Sequence, residues 1–276
     1  SNNTVLGIMA VGMTVILATA NIDVSIGAQL AVVSVIIAQF IGNRFGNVVT
    51  VYLLGMIIGG VLGLINGFFV AKVKMPAIIV TLGTVSIFRG LLLQHTQGQW
   101  VTGLPEWFTY LGSGTFLAIP IPVYIFILIV LITWLILGYT RMGRYILAVG
   151  GNKVSARRAG MREDNIYLFV FIYMGVLSGL SSVIYISQLG SAQPNAAFGF
   201  EMTVIAAAVI GGANVLGGNA SLLGVLLLGT IENGMILARI PVYWQKITSG
   251  IIIITAITAT VIQENQSKKA VKKIID

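Results

Sequence analysis

Long apolar segments follow one another almost without interruption along this chain, and that succession limits the folds open to it. A helix that crosses a bilayer needs about 20 mostly apolar residues, within a range of roughly 17 to 25. Nine segments fit that pattern, at 4–20, 24–40, 48–71, 76–94, 121–139, 166–188, 201–217, 220–238 and 245–263. The first two and the seventh are short or interrupted. Only 9% of the 276 residues are charged, whereas 57% are apolar. A soluble domain carries roughly 25% charged residues to cover its surface, so the outer surface here has to face lipid. The expected fold is an all-α integral membrane protein, a single transmembrane domain over residues 1–276 with about nine spans and broken helices among them.

The charges that do occur set an expected orientation. Lys72 and Lys74 fall between the third and fourth segments. Arg141, Arg144, Lys153, Arg157, Arg158 and Arg162 fall between the fifth and sixth, and Lys268, Lys269, Lys272 and Lys273 follow the last. These three regions hold twelve of the 16 Lys and Arg residues, and nine alternating spans bring them to one side. Cationic loops are retained in the cytoplasm, so the C-terminus is expected there and Ser1 outside. The abrupt opening at Ser1-Asn2-Asn3 leads to the further expectation of one preceding helix, ten in the native protein. An excess of cations on a soluble chain would raise the question of nucleic acid; here topology accounts for it. The basic tail at 264–276 is expected on anionic lipid.

Two connecting pieces carry local signals. Residues 95–120 form an outer loop in which Pro105 to Tyr110 starts a short interfacial helix with aromatic side chains at headgroup level. Residues 140–165 form the largest cytoplasmic loop. Within it Ser155-Ala156-Arg157-Arg158-Ala159 reads as a short helix stopped by Gly160.

Gly55, Gly59, Gly63 and Gly67 recur at every fourth position of the third span, on one face where another helix can approach closely. Polar groups inside apolar spans carry more information, because burying them unpaired is costly. Asn21, Asp23, Ser25 and Gly27 interrupt two apolar stretches, the signature of a broken helix, which is tolerated only within protein or beside a cavity. Asp23 has two readings, a place near a translocation path or a cap on the helix that follows. Glu201 starts the seventh span, Glu232 and Asn233 lie in the eighth, and Arg89 lies late in the fourth. An interhelical Arg–Glu pair and a contact with substrate both stand for these. Asn66 reads as an interhelical hydrogen bond, and His95 as a surface residue.

The chain has no Cys, one His and no G-x-x-x-x-G-K-[ST] motif. Disulfides and thiolate metal sites are excluded, and nothing cradles a nucleotide phosphate. The chain is not expected to be an enzyme by itself, nor to hold a cofactor.

Several strings go further. NIDVSIG at 21–27, GLINGFFVAKVKMPAIIVTLGT at 63–84, FRG at 88–90, GRYILAVGGNKVSARRAGM at 143–161 and SAQPNAAFGFEMTVIAAAVIGGANVLGGNASLLG at 191–224 resemble the permease family of ribose-type sugar ABC importers. The resemblance runs in order along nearly the whole chain. Asn21 in place of a family Gly, GQWVTGLPEW at 98–107 and RIPVYW at 239–244 are similar to the autoinducer-2 permease branch.

The resemblance implies a type II ABC importer-like permease in a bacterial inner membrane. Two ATPase subunits would bind ATP and Mg, a second permease (identical or related) would complete the pore, and an extracytoplasmic binding protein would deliver a sugar. It places a coupling helix at Ser155, Ala156, Arg157, Arg158, Ala159 and Gly160. Arg157 and Arg158 then either contact the ATPase or simply mark the cytoplasmic side. Asn21, Asp23, Ser25, Glu201 and Asn233 are the expected pathway residues, and Gly27, Gly211-Gly212 and Gly217-Gly218 the breakable points. An ion-coupled secondary transporter using Asp23 or Glu232, and a nucleoside ABC permease, are the alternatives.

Overall fold

The computed structural model describes residues 3–42, 46–220 and scattered positions from 244 to 258. The eighth predicted span, most of the ninth, Glu232, Asn233 and the tail at 264–276 lie outside the described residues. Among the described residues up to 220, ten helices and one small hairpin follow in order: α1 Asn3–Leu17, α2 Ile26–Gly42, α3 Val48–Ala71, α4 Ala77–Thr96, α5 Glu106–Ser113, β1 Thr115–Phe116, β2 Ile119–Pro120, α6 Ile121–Tyr139, α7 Arg141–Gly151, α8 Lys153–Arg158, α9 Glu163–Leu189 and α10 Phe200–Ile210. The seven predicted segments within this range are all helices. Four of them, α3, α4, α6 and α9, are long and apolar enough to cross a membrane, and α1, α2 and α10 are apolar but shorter.

Local chemistry sets the ends. A reciprocal capping box starts α3, with Thr50 N donating to Asn47 Oδ1 at 3.0 Å and Asn47 N donating to Thr50 Oγ1 at 2.8 Å. Gln97 ends α4 and Gly190 ends α9, both in the left-handed conformation that closes a helix. The seventh predicted segment ends earlier than expected, at Ile210 rather than residue 217. Gly212 at φ 88° turns the chain out of the helix, and Gly217 and Gly218 also have positive φ.

The centre of the bundle is α9. Of its most apolar stretch 72% is buried, against 22%, 33% and 17% for α3, α4 and α6. The exposed faces of those three carry Leu53, Ile57, Ile79, Leu91, Ile127 and Leu128, the face a helix turns to lipid. Against α9 the predicted glycine face of α3 finds its partner, which is itself glycine. A Cβ on Gly59 would lie 2.8 Å from Gly179 Cα, and one on Gly63 would lie 3.0 Å from Gly175 Cα. The two backbones touch where side chains would hold them apart, the small-residue packing that joins membrane helices.

The two ends of the bundle differ in charge. At one end the α3–α4 turn meets α8 and the start of α9 through Lys72, Lys74, Lys153, Arg157, Glu163 and Asp164. At the other end α5 packs on the end of α9, and Val101 bridges Ala192. The expected helix at Pro105 to Tyr110 is α5, with Phe108 buried and Trp107 and Tyr110 facing out. Trp100, Phe116 and Leu117 are exposed too. His95 is at the surface as expected and meets Gln39, with Nε2 3.1 Å from Oε1.

Candidate functional site

The predicted break between the first two segments is real and lies inside protein. Residues 21–24 have no regular secondary structure between α1 and α2. Asp23, Ser25, Gln29 and Asn66 are each 0% exposed and form one hydrogen-bonded group. Ser25 Oγ is its centre. It donates to Asp23 Oδ1 at 2.6 Å and accepts from Gln29 Nε2 at 2.8 Å and from Asn66 Nδ2 at 2.7 Å. The backbone N–H of Ser25 also donates to Asp23 Oδ1, at 2.8 Å, so the carboxylate caps the entry to α2. Asn66 supplies the interhelical bond expected of it, from α3. Ser178 of α9 adds a donor to the Ile26 carbonyl at 3.3 Å. Two acceptors in the group, Gln29 Oε1 and Asn66 Oδ1, are buried without a partner among the described residues, so within them the group retains unused hydrogen-bonding capacity at mid-bundle.

A second polar group lies against the start of α2. Gly27 faces the segment before α10, and a Cβ there would come 2.6 Å from the Ala197 carbonyl oxygen and 2.8 Å from Glu201 Oε2. Arg89 of α4 reaches the same segment. Its Nη1 and Nη2 both donate to the Ala196 carbonyl at 3.3 Å, and its guanidinium carbon lies 5.1 Å from the centre of the Phe198 ring. Among the described residues Arg89 makes no ion pair with a carboxylate and meets a backbone carbonyl and an aromatic face instead, while Glu232, the other carboxylate considered for it, lies outside the described residues.

Two of the other predicted breakable points, Gly217 and Gly218, form a seam. Gly218 N donates to the Ala18 carbonyl at 3.0 Å, and Gly217 sits against Ala20 and the Gly150 carbonyl. Gly150 leaves no room for a side chain between Ala18 and Gly218. The end of α7 therefore seats directly on the end of α1, just before the break.

At the basic end the region 140–165 is more helical than a loop. Thr140 caps α7, which buries Gly143, Ile146 and Val149 along one side and turns Arg141 and Arg144 outward. The expected short helix is α8, started by Asn152, whose Oδ1 accepts Ser155 N at 2.9 Å, and closed before Gly160 at φ 82°. Ala156 is buried and anchors it, while Val154 is exposed. Arg157 pairs with Glu163, and Lys153 Nζ lies 3.0 Å from Glu163 Oε2. Lys74 pairs with Asp164, with Lys72 at 3.9 Å. Partial burial works against the Lys153 charge, but the hydrogen bond and charge of Glu163 outweigh it and hold the ammonium above the ordinary lysine range. Arg158 is exposed and outside this cluster.

Of the predicted pathway residues, Asp23 and Ser25 belong to the buried group. Asn21 bonds its own turn through Thr19, and Glu201 borders Gly27. Asn233 lies outside the described residues. Gln29 and Phe198 escape a reading of the sequence. Gln29 lies among mostly apolar residues in the shorter helix α2, one turn beyond Ser25, and that i, i+4 spacing is the signal that finds it. Among the described residues no group of His, Asp and Glu is placed to hold a metal ion.

A bundle with an apolar outer face, broken helices at its middle and buried hydrogen-bonding groups beside the breaks has the form of a membrane permease. The chain belongs to the family described as branched-chain amino acid transport system / permease component, whose sequence model matches residues 2–257. It is 36% identical over 258 residues to the ribose import permease protein RbsC of Escherichia coli (strain K12), covering 91% of this chain and 80% of that protein. The ribose import permease protein RbsC of Bacillus subtilis (strain 168) is 39% identical over 257 residues, with 91% and 80% covered. The autoinducer 2 import system permease protein LsrC of Photorhabdus luminescens is 34% identical over 279 residues, with 99% and 82% covered. No solved structure matches the chain at a significant level. The resemblance drawn from the strings at 21–27, 63–84, 143–161 and 191–224 is thereby met, and the chain is a permease rather than an enzyme.

Proposed function

We propose that this chain is the membrane-spanning permease of an ATP-driven importer that carries a sugar or sugar-like molecule, such as ribose or autoinducer-2, into a bacterial cell. The observation that carries the reading is the identity of 34% to 39% to ribose and autoinducer-2 import permeases over nearly the whole chain. The end bearing Lys72, Lys74 and α8 is cytoplasmic, which follows the concentration of cations there. Two ATPase subunits dock on that end, a second permease faces this one across the pore, and an extracytoplasmic binding protein delivers the sugar to the opposite end.

The packing supports a route for the motion. In this account α8, with Ser155, Ala156, Arg157, Arg158, Ala159 and Gly160, takes up the movement of the ATPases. The ion cluster ties α8 to the α3–α4 turn and to α9, and the glycine contact makes α3 and α9 one rigid piece. Meanwhile α7 bears on Ala18 and Gly218, beside the break that holds Asp23. Rocking of α8 thus reaches the polar groups at mid-bundle by direct contact. Asn21, Asp23, Ser25, Glu201 and Asn233 are the polar residues assigned to the path.

Affinity purification of the solubilised chain from its host, with mass spectrometry of what accompanies it, tests this assembly. Recovery of an ATPase subunit carrying P-loops, together with a second permease chain, is the expected result. A lone chain that still moves substrate down an ion gradient would instead favour a secondary transporter.

A further inference from the structure

The segment between α9 and α10 presents an arrangement that structural support alone leaves unexplained. Gly190 and Gly199, at φ 69° and 77°, bracket it, and Ala197 takes φ 54°, a conformation that residues with a Cβ seldom adopt. That geometry turns the Phe198 ring outward, where it is 76% exposed, beneath the guanidinium of Arg89. Arg89 carries five N–H donors, and two of them share the one carbonyl of Ala196. The other three have no acceptor among the described residues. Close by, Glu201 Oε2 is buried with no hydrogen-bond partner among the described residues, and its charge is near enough to act on Arg89. Donors without acceptors, an acceptor without donors and a bare aromatic face thus lie together beside the α2 break.

We propose that Arg89, Phe198 and Glu201 form a receiving station for the sugar in the translocation path. A monosaccharide is the chemical class that answers all three groups at once. Its C–H face stacks on the Phe198 ring, its hydroxyl oxygens accept from the free Arg89 N–H groups, and a hydroxyl hydrogen goes to Glu201 Oε2. Gly27 contributes by having no side chain, which lets the start of α2 lie against Glu201. An inorganic anion would use Arg89 but be repelled by Glu201, and an apolar ligand would leave both charges unpaired in a low-dielectric site. The assignment rests on the sugar-import reading above and adds to it the residues that meet the sugar after the binding protein releases it.

The test is ATP-dependent uptake of radiolabelled ribose into proteoliposomes holding the assembled importer and its binding protein, for the unaltered chain and for F198A, F198W, E201Q and R89K. F198A, E201Q and R89K each lower initial uptake about tenfold, the loss of one contact worth about 1.4 kcal/mol. All of them recover the same amount of ATPase subunit on purification. F198W keeps most of the uptake, because stacking needs a ring and not this ring in particular. Uptake by F198A within about twofold of the unaltered chain, a difference under about 0.5 kcal/mol, would overturn the station and make Phe198 a lipid contact. Equal losses in F198W and F198A would overturn it as well, since shape rather than stacking would then be at stake. An assembled, unaltered importer that takes up no sugar would instead remove the functional reading and the ligand class with it.

Discussion

Gly59 of α3 and Gly175 of α9 occupy each other's side-chain space: a Cβ built on either one runs into the other's carbonyl oxygen. Gly179 meets Gly55 in the same way one turn along. The contact is backbone on backbone, so a methyl group there has no flexible neighbour to displace. In lipid, where apolar side chains gain little by leaving their surroundings, such close approach is a main source of helix association.

Gly175→Ala is therefore expected to destabilise the chain by about 1–3 kcal/mol, the usual cost of overpacking a tight contact. Gly83→Ala is the matched control, since a Cβ there meets nothing within 4 Å. Thermal unfolding in detergent, followed by size-exclusion chromatography, separates the two. Equal melting of both variants would show that the α3–α9 seam is looser than the contact implies.

Ser25 is expected to matter more than its size suggests. Ser25→Ala removes the hydroxyl donor to Asp23, leaving the backbone one, and the acceptor for both Gln29 and Asn66. Buried polar groups left unsatisfied cost about 1–3 kcal/mol. Asn66→Leu removes one of the groups that depends on Ser25, so the double variant should lose less than the sum of the two single losses. A double-mutant cycle in unfolding free energy reads this coupling directly; strict additivity would mean that the two side chains do not share a bond.

At the basic end, Arg157 and Arg158 are expected to separate. Arg158→Glu leaves the Glu163 cluster intact and should cut substrate-stimulated ATP hydrolysis of the assembled importer while the chain melts normally. Arg157→Glu also places two carboxylates together at Glu163, and should lower the melting temperature as well. Measuring both readouts on both variants decides it, and unchanged hydrolysis in Arg158→Glu would remove its role in coupling.

The Lys153–Glu163 pair carries a pH signature. The folded state holds the Lys153 proton more tightly than the unfolded chain does. Its stabilisation is therefore complete below the ordinary lysine pKa of about 10.4 and is lost only as pH rises through the higher folded value. Melting of the unaltered chain and of Lys153→Met should differ by a constant amount from about pH 6 to about pH 9, a window that lies wholly below the ordinary lysine pKa of about 10.4. A difference that shrinks within this window would place the Lys153 proton elsewhere.

The long helices are legible in the sequence because bilayer thickness demands about 20 apolar residues in a row, and α3, α4, α6 and α9 keep to it. The break at Asp23 is legible for the complementary reason that Asn, Asp and Ser in an apolar stretch need partners. The partners themselves are less so. Asn66 announces itself as a lone amide in a span, but Gln29 reads as one polar residue among many apolar ones. The region of α7 reads as loop because Arg141 and Arg144 break up its apolar sequence, and its apolar side, opposite them, packs only once the chain has folded back. The link from Lys74 to Asp164 joins residues ninety positions apart, a distance over which no local pattern operates. The seventh segment looks longer than α10 because glycine is apolar by composition, while Gly211-Gly212 ends the helix by conformation.

The most direct test of the account is uptake of radiolabelled sugar into proteoliposomes containing this chain with its ATPase and binding-protein partners, with and without ATP and with and without an imposed ion gradient. The account predicts accumulation that requires ATP and the binding protein and is indifferent to the gradient. Accumulation by the chain alone, driven by a proton or sodium gradient and unaffected by ATP, would contradict it.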